Sequence, residues 1–293
     1  MDLKQLLRHE RPNITDSSIK TYTSTLTGIF KKCYPDLKID TMCIEKFNDF
    51  DHVYKYLKEL PINQRKTKLA ALVVLTSNNE YSKKMCEDNA EMHQTSLKQE
   101  KNDKQVEGMI SMDELKNIFN QVETHAVMCM KKTKLSPADY SAIQKYILLC
   151  LCSGIFIPPR RSADWNMKWK DFDAEKDNHI DVKNSQFIFN AYKTVKIYGQ
   201  CKVPIPKPLK LILNKWFKIA QCEYVLYDSK LKPLSSSQIT HRLNEIFGKK
   251  ISTSMIRHIY LTHKFGNVNL QELNDIASEM GTSKVEALQY VKH

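Results

Sequence analysis

The sequence lacks any Cys-x-x-Cys pair: its eight cysteines, at positions 33, 43, 86, 129, 150, 152, 201 and 222, are too sparse for a disulfide scaffold, and none of the nine histidines stands at finger-like spacing from them. A structural metal site is therefore not expected, and reduced thiols in a cytoplasmic or nuclear compartment are. Long apolar runs are missing as well. The longest, Tyr146 to Ile157, falls short of the about 20 residues that span a bilayer, and the opening MDLKQLLRHERPN has no secretory apolar core, so neither a membrane partner nor export is expected. Glycine (7) and proline (10) are few and follow no period, which excludes collagen-like and Pro/Gly-rich disordered classes. Internal repeats and low-complexity tracts are absent. What remains, with 42% hydrophobic and 27% charged residues, is a globular chain able to bury one large core or two modest ones.

Positive charge is what the chain has in excess. Lysine and arginine number 45 against 33 acids, a net of +12, and residues 109–293 carry 27 basic and 17 acidic side chains where residues 1–108 carry 18 and 16. The C-terminal part is the polyanion-facing one, as counterion release from a phosphate backbone would favour.

Along the chain, Asn13-Ile-Thr-Asp-Ser-Ser18 supplies helix N-cap residues ahead of Ile19, Tyr22, Leu26 and Phe30 at helical spacing. Further helices are expected at 41–59 and 62–77, completing a small helical domain over 1–80. Tyr81 to Val106 is almost wholly polar and reads as an exposed helix or a charged linker, so the boundary is placed within 81–110. Ser111-Met-Asp-Glu114 then offers a capping box to a new helix with Leu115, Ile118 and Phe119. The domain over 111–293 reads as mostly helical with one interruption, Asn184 to Pro206, where apolar and polar residues alternate as in two or three short strands with Gly199 at a turn. Helical patterns resume at 207–221 and continue from Ser235 almost to the end.

Four segments of this second domain matter together. They are Ser153-Gly-Ile-Phe-Ile-Pro-Pro-Arg-Arg-Ser-Ala-Asp164, Tyr192-Lys-Thr-Val-Lys196, Met255-Ile-Arg-His-Ile-Tyr-Leu-Thr262 and Met280-Gly-Thr-Ser-Lys-Val-Glu-Ala-Leu-Gln-Tyr290. An arginine segment, a basic hairpin, an arginine-histidine helix and a late tyrosine, in this order, resemble the tyrosine recombinase (phage integrase-like) family, of the kind carried by mobile elements and large DNA viruses. The resemblance covers nearly the whole chain, since Ile14 to Tyr22 is similar to the first helix of the family's core-binding domain. It implies a mainly α fold with a small β-hairpin or sheet, built as a helical DNA-clamping domain joined to a catalytic domain.

Residue by residue, the resemblance makes Arg257 the second catalytic arginine, Lys193 the hairpin lysine with Lys196 as its alternate, and Tyr290 the nucleophile. For the first arginine, spacing back from Trp169 and Asp171 favours Arg160, whereas Asp164 read as the family's acidic residue favours Arg161; Arg160 ranks first. Ser254 and Thr282 stand where the family usually has histidine-type donors. Each hydroxyl can donate to a phosphate but cannot shuttle a proton near neutral pH, so slowed or lost catalysis is expected. His258, next to Arg257 on a helix, points about 100° away and does not fill that gap, though it is kept as an alternate. Lys20, Arg65, Lys66, Lys68 and Arg242 are the basic side chains expected on DNA. The chain stops three residues after Tyr290, short of the segment with which many members pack on a neighbouring protomer.

The chemistry of that family accounts for this set. Tyrosine attack on a phosphodiester passes through a pentacoordinate state with extra charge on its non-bridging oxygens, which two planar, permanently charged guanidinium forks can hold. Nearby arginines favour the phenolate, a lysine can protonate the leaving 5′ oxygen, and the 3′-phosphotyrosyl intermediate stores the bond for rejoining, so no cofactor, metal or ATP is implied. The implied activity is a site-specific recombinase or integrase working on double-stranded DNA as a dimer or tetramer, inside the cell, in a viral factory or in a virion. A type IB topoisomerase-like relaxing enzyme and a catalytically degenerate DNA-binding protein of the same fold are the alternatives.

Overall fold

The computed structural model describes residues 2–97, 101–264 and 270–291. The chain divides into two compact units, Met1–Lys98 and Gln99–His293. In the first, α1 (Leu3–Glu10), α2 (Asp16–Cys33), α3 (Ile44–Asn48), α4 (Phe50–Leu57), α5 (Ile62–Thr76) and α6 (Asn79–Leu97) follow one another. Within the expected cap cluster it is the Thr15 hydroxyl that accepts from the Ser18 amide to start α2, whose Ile19, Leu26, Ile29 and Phe30 are buried. Around them close Leu7, Phe47, Val53, Leu57 and the α5 residues Leu69, Leu72 and Leu75.

The polar stretch beginning at Tyr81 is more anchored than its composition suggests. Tyr81 is fully buried and its hydroxyl donates to the Phe47 carbonyl at 2.8 Å, while Asp88 receives Arg65 through two hydrogen bonds of 2.7 and 2.6 Å. With Met85, which also packs on this core, they fix α6 on the first unit. Arg65 is held above its ordinary pKa chiefly by its hydrogen bonds to Asp88, so it serves the core of this unit. Arg65→Gln is expected to lower the stability of the first unit by about 2 kcal/mol, the range of a charge-assisted pair. Urea unfolding of both single variants and the double variant with Asp88→Asn checks this, and additive losses would remove the coupling.

In the second unit, α7 (Asp103–Gly108), α8 (Met112–Met130) and α9 (Pro137–Cys152) precede a small sheet. Ser111 accepts from the Glu114 amide as the N-cap of α8, and α9 carries the apolar run from Tyr146, buried on every side from Tyr146 to Cys152. The sheet has the order β1 (Met167–Lys168), β2 (Asn178–Asp181), β3 (Gln186–Phe189), β4 (Cys201–Pro204), with β1 parallel to β2 and the remaining pairs antiparallel. Phe187 pairs with Val203 and Phe189 with Cys201, and both phenyl rings meet the buried Trp165 edge-on at 5.6 and 5.7 Å.

The expected β stretch is shorter than its alternation suggests. Residues 190–200 form a connection between β3 and β4 that contains one helical turn, α10 (Val195–Tyr198), before Gly199 at φ 68. Tertiary hydrogen bonds to Asn178 pull this segment out of the ladder. Strands β1 and β2 carry no period-two signal, being two and four residues long, and were not expected from the sequence. The remaining helices are α11 (Lys207–Phe217), α12 (Ser236–Phe247), α13 (Thr253–Lys264), α14 (Leu270–Glu279) and α15 (Lys284–Gln289). No helix among the described residues is long and apolar enough to cross a membrane.

Candidate active site

The chain leaves α9 through Gly154, at φ 84, where a Cβ would run into the Tyr260 ring of α13. Pro158 and Pro159 then keep it extended into Arg160. The Arg160 guanidinium is 1% exposed and lies over the Phe189 ring at 3.9 Å. Nε donates to Asp164 at 3.0 Å, and Nη1 donates to the Glu279 carbonyl at 2.5 Å and to the Cys201 thiol at 3.5 Å, but Nη2 is buried without a partner. Burial pushes the Asp164 carboxyl up from its ordinary range, against the pull of Arg160. Arg161 is half-buried and donates to the Gly281 carbonyl at 3.1 Å.

Gly281 is the point where three segments meet. Its carbonyl accepts from Arg161 and from the Thr194 hydroxyl at 3.0 Å, and its own φ is 64. A Cβ here would stand 2.8 Å from Arg160 Nη2, so the missing side chain lets the backbone close over the guanidinium. Gly281→Ala is expected to cost about 2 kcal/mol in stability, from left-handed backbone strain and displacement of Arg160. Thermal unfolding checks it; a loss under about 0.5 kcal/mol would mean that the segment shifts freely.

On α13, Arg257 is 1% exposed, yet Nε, Nη1 and Nη2 are all without hydrogen-bond partners among the described residues. Burial pulls its pKa down, and Arg161 nearby adds to that. The Tyr290 ring covers it, with the guanidinium carbon 4.4 Å from the ring centroid. Tyr290 follows α15 and is fixed through its carbonyl, which accepts from His258 Nδ1 at 2.7 Å while the two rings stand 4.8 Å apart. The other nitrogen, His258 Nε2, meets the Gln105 side-chain amide at 3.2 Å. A carbonyl can only accept, so Nδ1 donates to Tyr290, and both ring nitrogens have a partner. His258 thus holds the backbone of Tyr290, whose ring it shares with Arg257.

The remaining sequence candidates divide sharply. Thr282 is buried with its hydroxyl unpartnered, and Ser254 is exposed and shares a shallow recess with His258, Glu286 and Tyr290. Lys193 and Lys196 are exposed on the β3–β4 connection. Lys20 and Lys66 are exposed and Lys68 half-exposed on the first unit. Arg65 is bound to Asp88 as described, and Arg242 donates to the Gln144 side chain at 3.0 Å and the Tyr227 carbonyl at 3.2 Å. These two arginines are engaged within the chain, which a sequence reading cannot see because their partners lie 23 and 98 residues away.

Two positioning residues escaped the sequence reading. Asn178, 2% exposed, donates to the Asp164 and Ala191 carbonyls and accepts from the Asn190 and Ala191 amides, fully satisfying its amide while tying the arginine segment to the lysine-bearing connection. Gln105, in the stretch expected to be linker, is buried beside His258. Asn178 has no local signal, whereas Gln105 stands three residues after Asn102 in a capping box that marks the start of α7 but not its contact with His258. Among the described residues no group of three or more His, Cys, Asp or Glu could hold a metal ion.

No protein-family model matches the chain, and no curated protein matches it. Solved structures do match. The chain is similar to a lambda integrase tetramer bound to a Holliday junction, with a TM-score of 0.54 at 14% identity over 99% of this chain and 75% of that one. A lambda integrase dimer bound to a core site gives 0.51 at 15% identity, over 99% and 95%. The integrase of the Tn1549 transposon in complex with a circular intermediate DNA gives 0.52 at 12% identity, over 100% and 95%. The chain therefore has the tyrosine-recombinase fold, a helical N-terminal unit followed by a mixed α/β unit.

Proposed function

We propose that this chain is a DNA strand transferase that cuts and rejoins double-stranded DNA through Tyr290, in the service of a mobile element or a virus. The observation that carries the reading is Arg257: a buried guanidinium with three unpartnered nitrogens directly beneath a tyrosine ring. A native core rarely keeps three such donors unless a ligand meets them, and a phosphate fits their planar fork. Arg160 Nη2 and the Thr282 hydroxyl, also buried and unpartnered, add donors of the same kind.

In this reading Tyr290 Oη attacks phosphorus, the bond from phosphorus to the 5′ oxygen breaks, and the 5′ oxygen takes a proton from Lys193. The phenolic proton leaves to water in the recess beside Ser254, which can donate to a non-bridging oxygen but cannot accept the proton as imidazole would. Rejoining is the reverse attack by a 5′ hydroxyl, and a dimer or tetramer on DNA would bring two such cuts together. The integrases of the same fold that hold junction or core-site DNA support the substrate class.

A second reading, a DNA-binding protein of this fold without turnover, is favoured by Ser254 and Thr282 themselves. One experiment separates them. The full chain is incubated in EDTA with nicked duplex carrying the ends of its own genetic neighbourhood, resolved on a denaturing gel, and any adduct is digested and sequenced by mass spectrometry. A 3′-phosphoryl adduct on Tyr290 is expected; salt-sensitive binding with no adduct would leave the second reading.

A further inference from the structure

Residues 182–222 hold eight lysines and no acidic residue. The β3–β4 connection lies within this stretch, and its tip exposes two large apolar side chains: Ile197 is 74% exposed and Tyr198 51%. Lys193, Lys196 and Lys202 are exposed around them, and none is in an ion pair among the described residues. The tip is held in shape. Tyr192 Oη donates to the Gly199 carbonyl at 2.8 Å, Gln200 donates to Asn190 across the connection at 2.8 Å, and the Thr194 hydroxyl ties it to Gly281. A solvated turn has no need of such bracing, and an apolar pair ringed by unpaired cations is costly to leave in water.

We propose that Ile197 and Tyr198 form a wedge that enters a base step of duplex DNA, with Lys193, Lys196 and Lys202 on the flanking phosphates. The inference rests on the DNA-binding part of the reading above and adds a contact made by apolar side chains. Insertion of Ile-type wedges between bases, flanked by basic side chains, is a known physical solution: unstacking costs a few kcal/mol per step and is offset by burial of the wedge and by phosphate contacts. Here the wedge shares its connection with Lys193, and Thr194 bonds it to Gly281 beside Arg160. The opened step would therefore adjoin the phosphate under attack. Charge sets the choice of occupant, since a stretch without a single carboxylate complements a polyanion over a neutral protein face.

The test compares two duplexes of one sequence, perfectly paired or with a central two-base mismatch, by fluorescence anisotropy at low salt. A step that is already unstacked spares the wedge its cost, so the wild-type chain is expected to bind the mismatched duplex about tenfold more tightly. Ile197→Ser with Tyr198→Ser is expected to abolish that preference, whereas Lys193→Gln with Lys196→Gln weakens binding to both duplexes alike and flattens the salt dependence. Equal affinity of the wild type for the two duplexes, with binding retained, overturns the wedge and leaves the DNA reading intact. Absence of salt-sensitive binding to either duplex overturns both. A tip variant that loses association with phosphatidylserine vesicles while keeping its mismatch preference assigns the apolar pair to a lipid surface and likewise overturns the wedge.

Discussion

Tyr290→Phe is expected to lower formation of the covalent DNA adduct by at least about 10⁴-fold, the scale on which loss of a nucleophile acts, while DNA affinity stays within about twofold. The geometry makes this substitution unusually clean. Phenylalanine keeps the ring over Arg257, and the backbone carbonyl that His258 holds is unaffected. The tyrosine hydroxyl has no hydrogen-bond partner among the described residues, so its removal orphans nothing in the free protein. What disappears is the atom that would attack phosphorus in the proposed reaction. Quantified nicked-duplex trapping and anisotropy on the same preparation check both halves. An undiminished adduct would move the nucleophile to another side chain, and a large loss of affinity would make Tyr290 a binding residue.

Arg257→Met is expected to show the opposite sign in stability and activity. Methionine fills a similar volume and removes a buried charge whose three donors meet nothing, so the chain should gain about 1–3 kcal/mol. For a unit of this size that raises the midpoint of thermal unfolding by on the order of 5 °C. Asp164 is not stranded by the change, because Arg160 Nε remains 3.0 Å from it. Cleavage should fall by about 10³-fold, since in the proposed reaction the guanidinium would act on charge that develops in the transition state, whereas binding of the ground-state duplex should change less than threefold. A fall in the unfolding midpoint would show that Arg257 is part of the packing. A gain in stability with cleavage retained would remove it from the chemistry. The pairing of a more stable fold with a lost activity is the signature of a site held open for its ligand.

The helices were legible wherever caps and apolar spacing are local. Thr15 ahead of Ile19 and Leu26, and Ser111 ahead of Leu115, are short-range patterns, and backbone geometry follows them. The small strands were less so: Met167–Lys168 is too short to show a period, and residues 190–200 alternate like a strand yet turn away where Asn178 takes the backbone hydrogen bonds of Asn190 and Ala191. The same limit explains α6. Polar composition suggested few anchors, but Tyr81, Met85 and the Asp88 carboxylate paired with Arg65 hold it.

The mainly helical class, the excess of cations toward the C-terminal part, and the order of arginine, lysine, arginine-histidine and tyrosine segments are legible in the amino-acid order, because composition and spacing are properties of the chain before it folds. Which cations find partners among the described residues was settled by folding. It joined Arg65 to Asp88 and Arg242 to Gln144, buried Arg160 against Phe189, and left the Arg257 guanidinium under Tyr290 with no hydrogen-bond partner among the described residues. It also turned His258 to the backbone of Tyr290 and raised Ile197 and Tyr198 among unpaired lysines. The physical reason is common to all of these: hydrogen bonds and burial are settled by residues distant in the chain, and a charged side chain shows its role only when its neighbours are known.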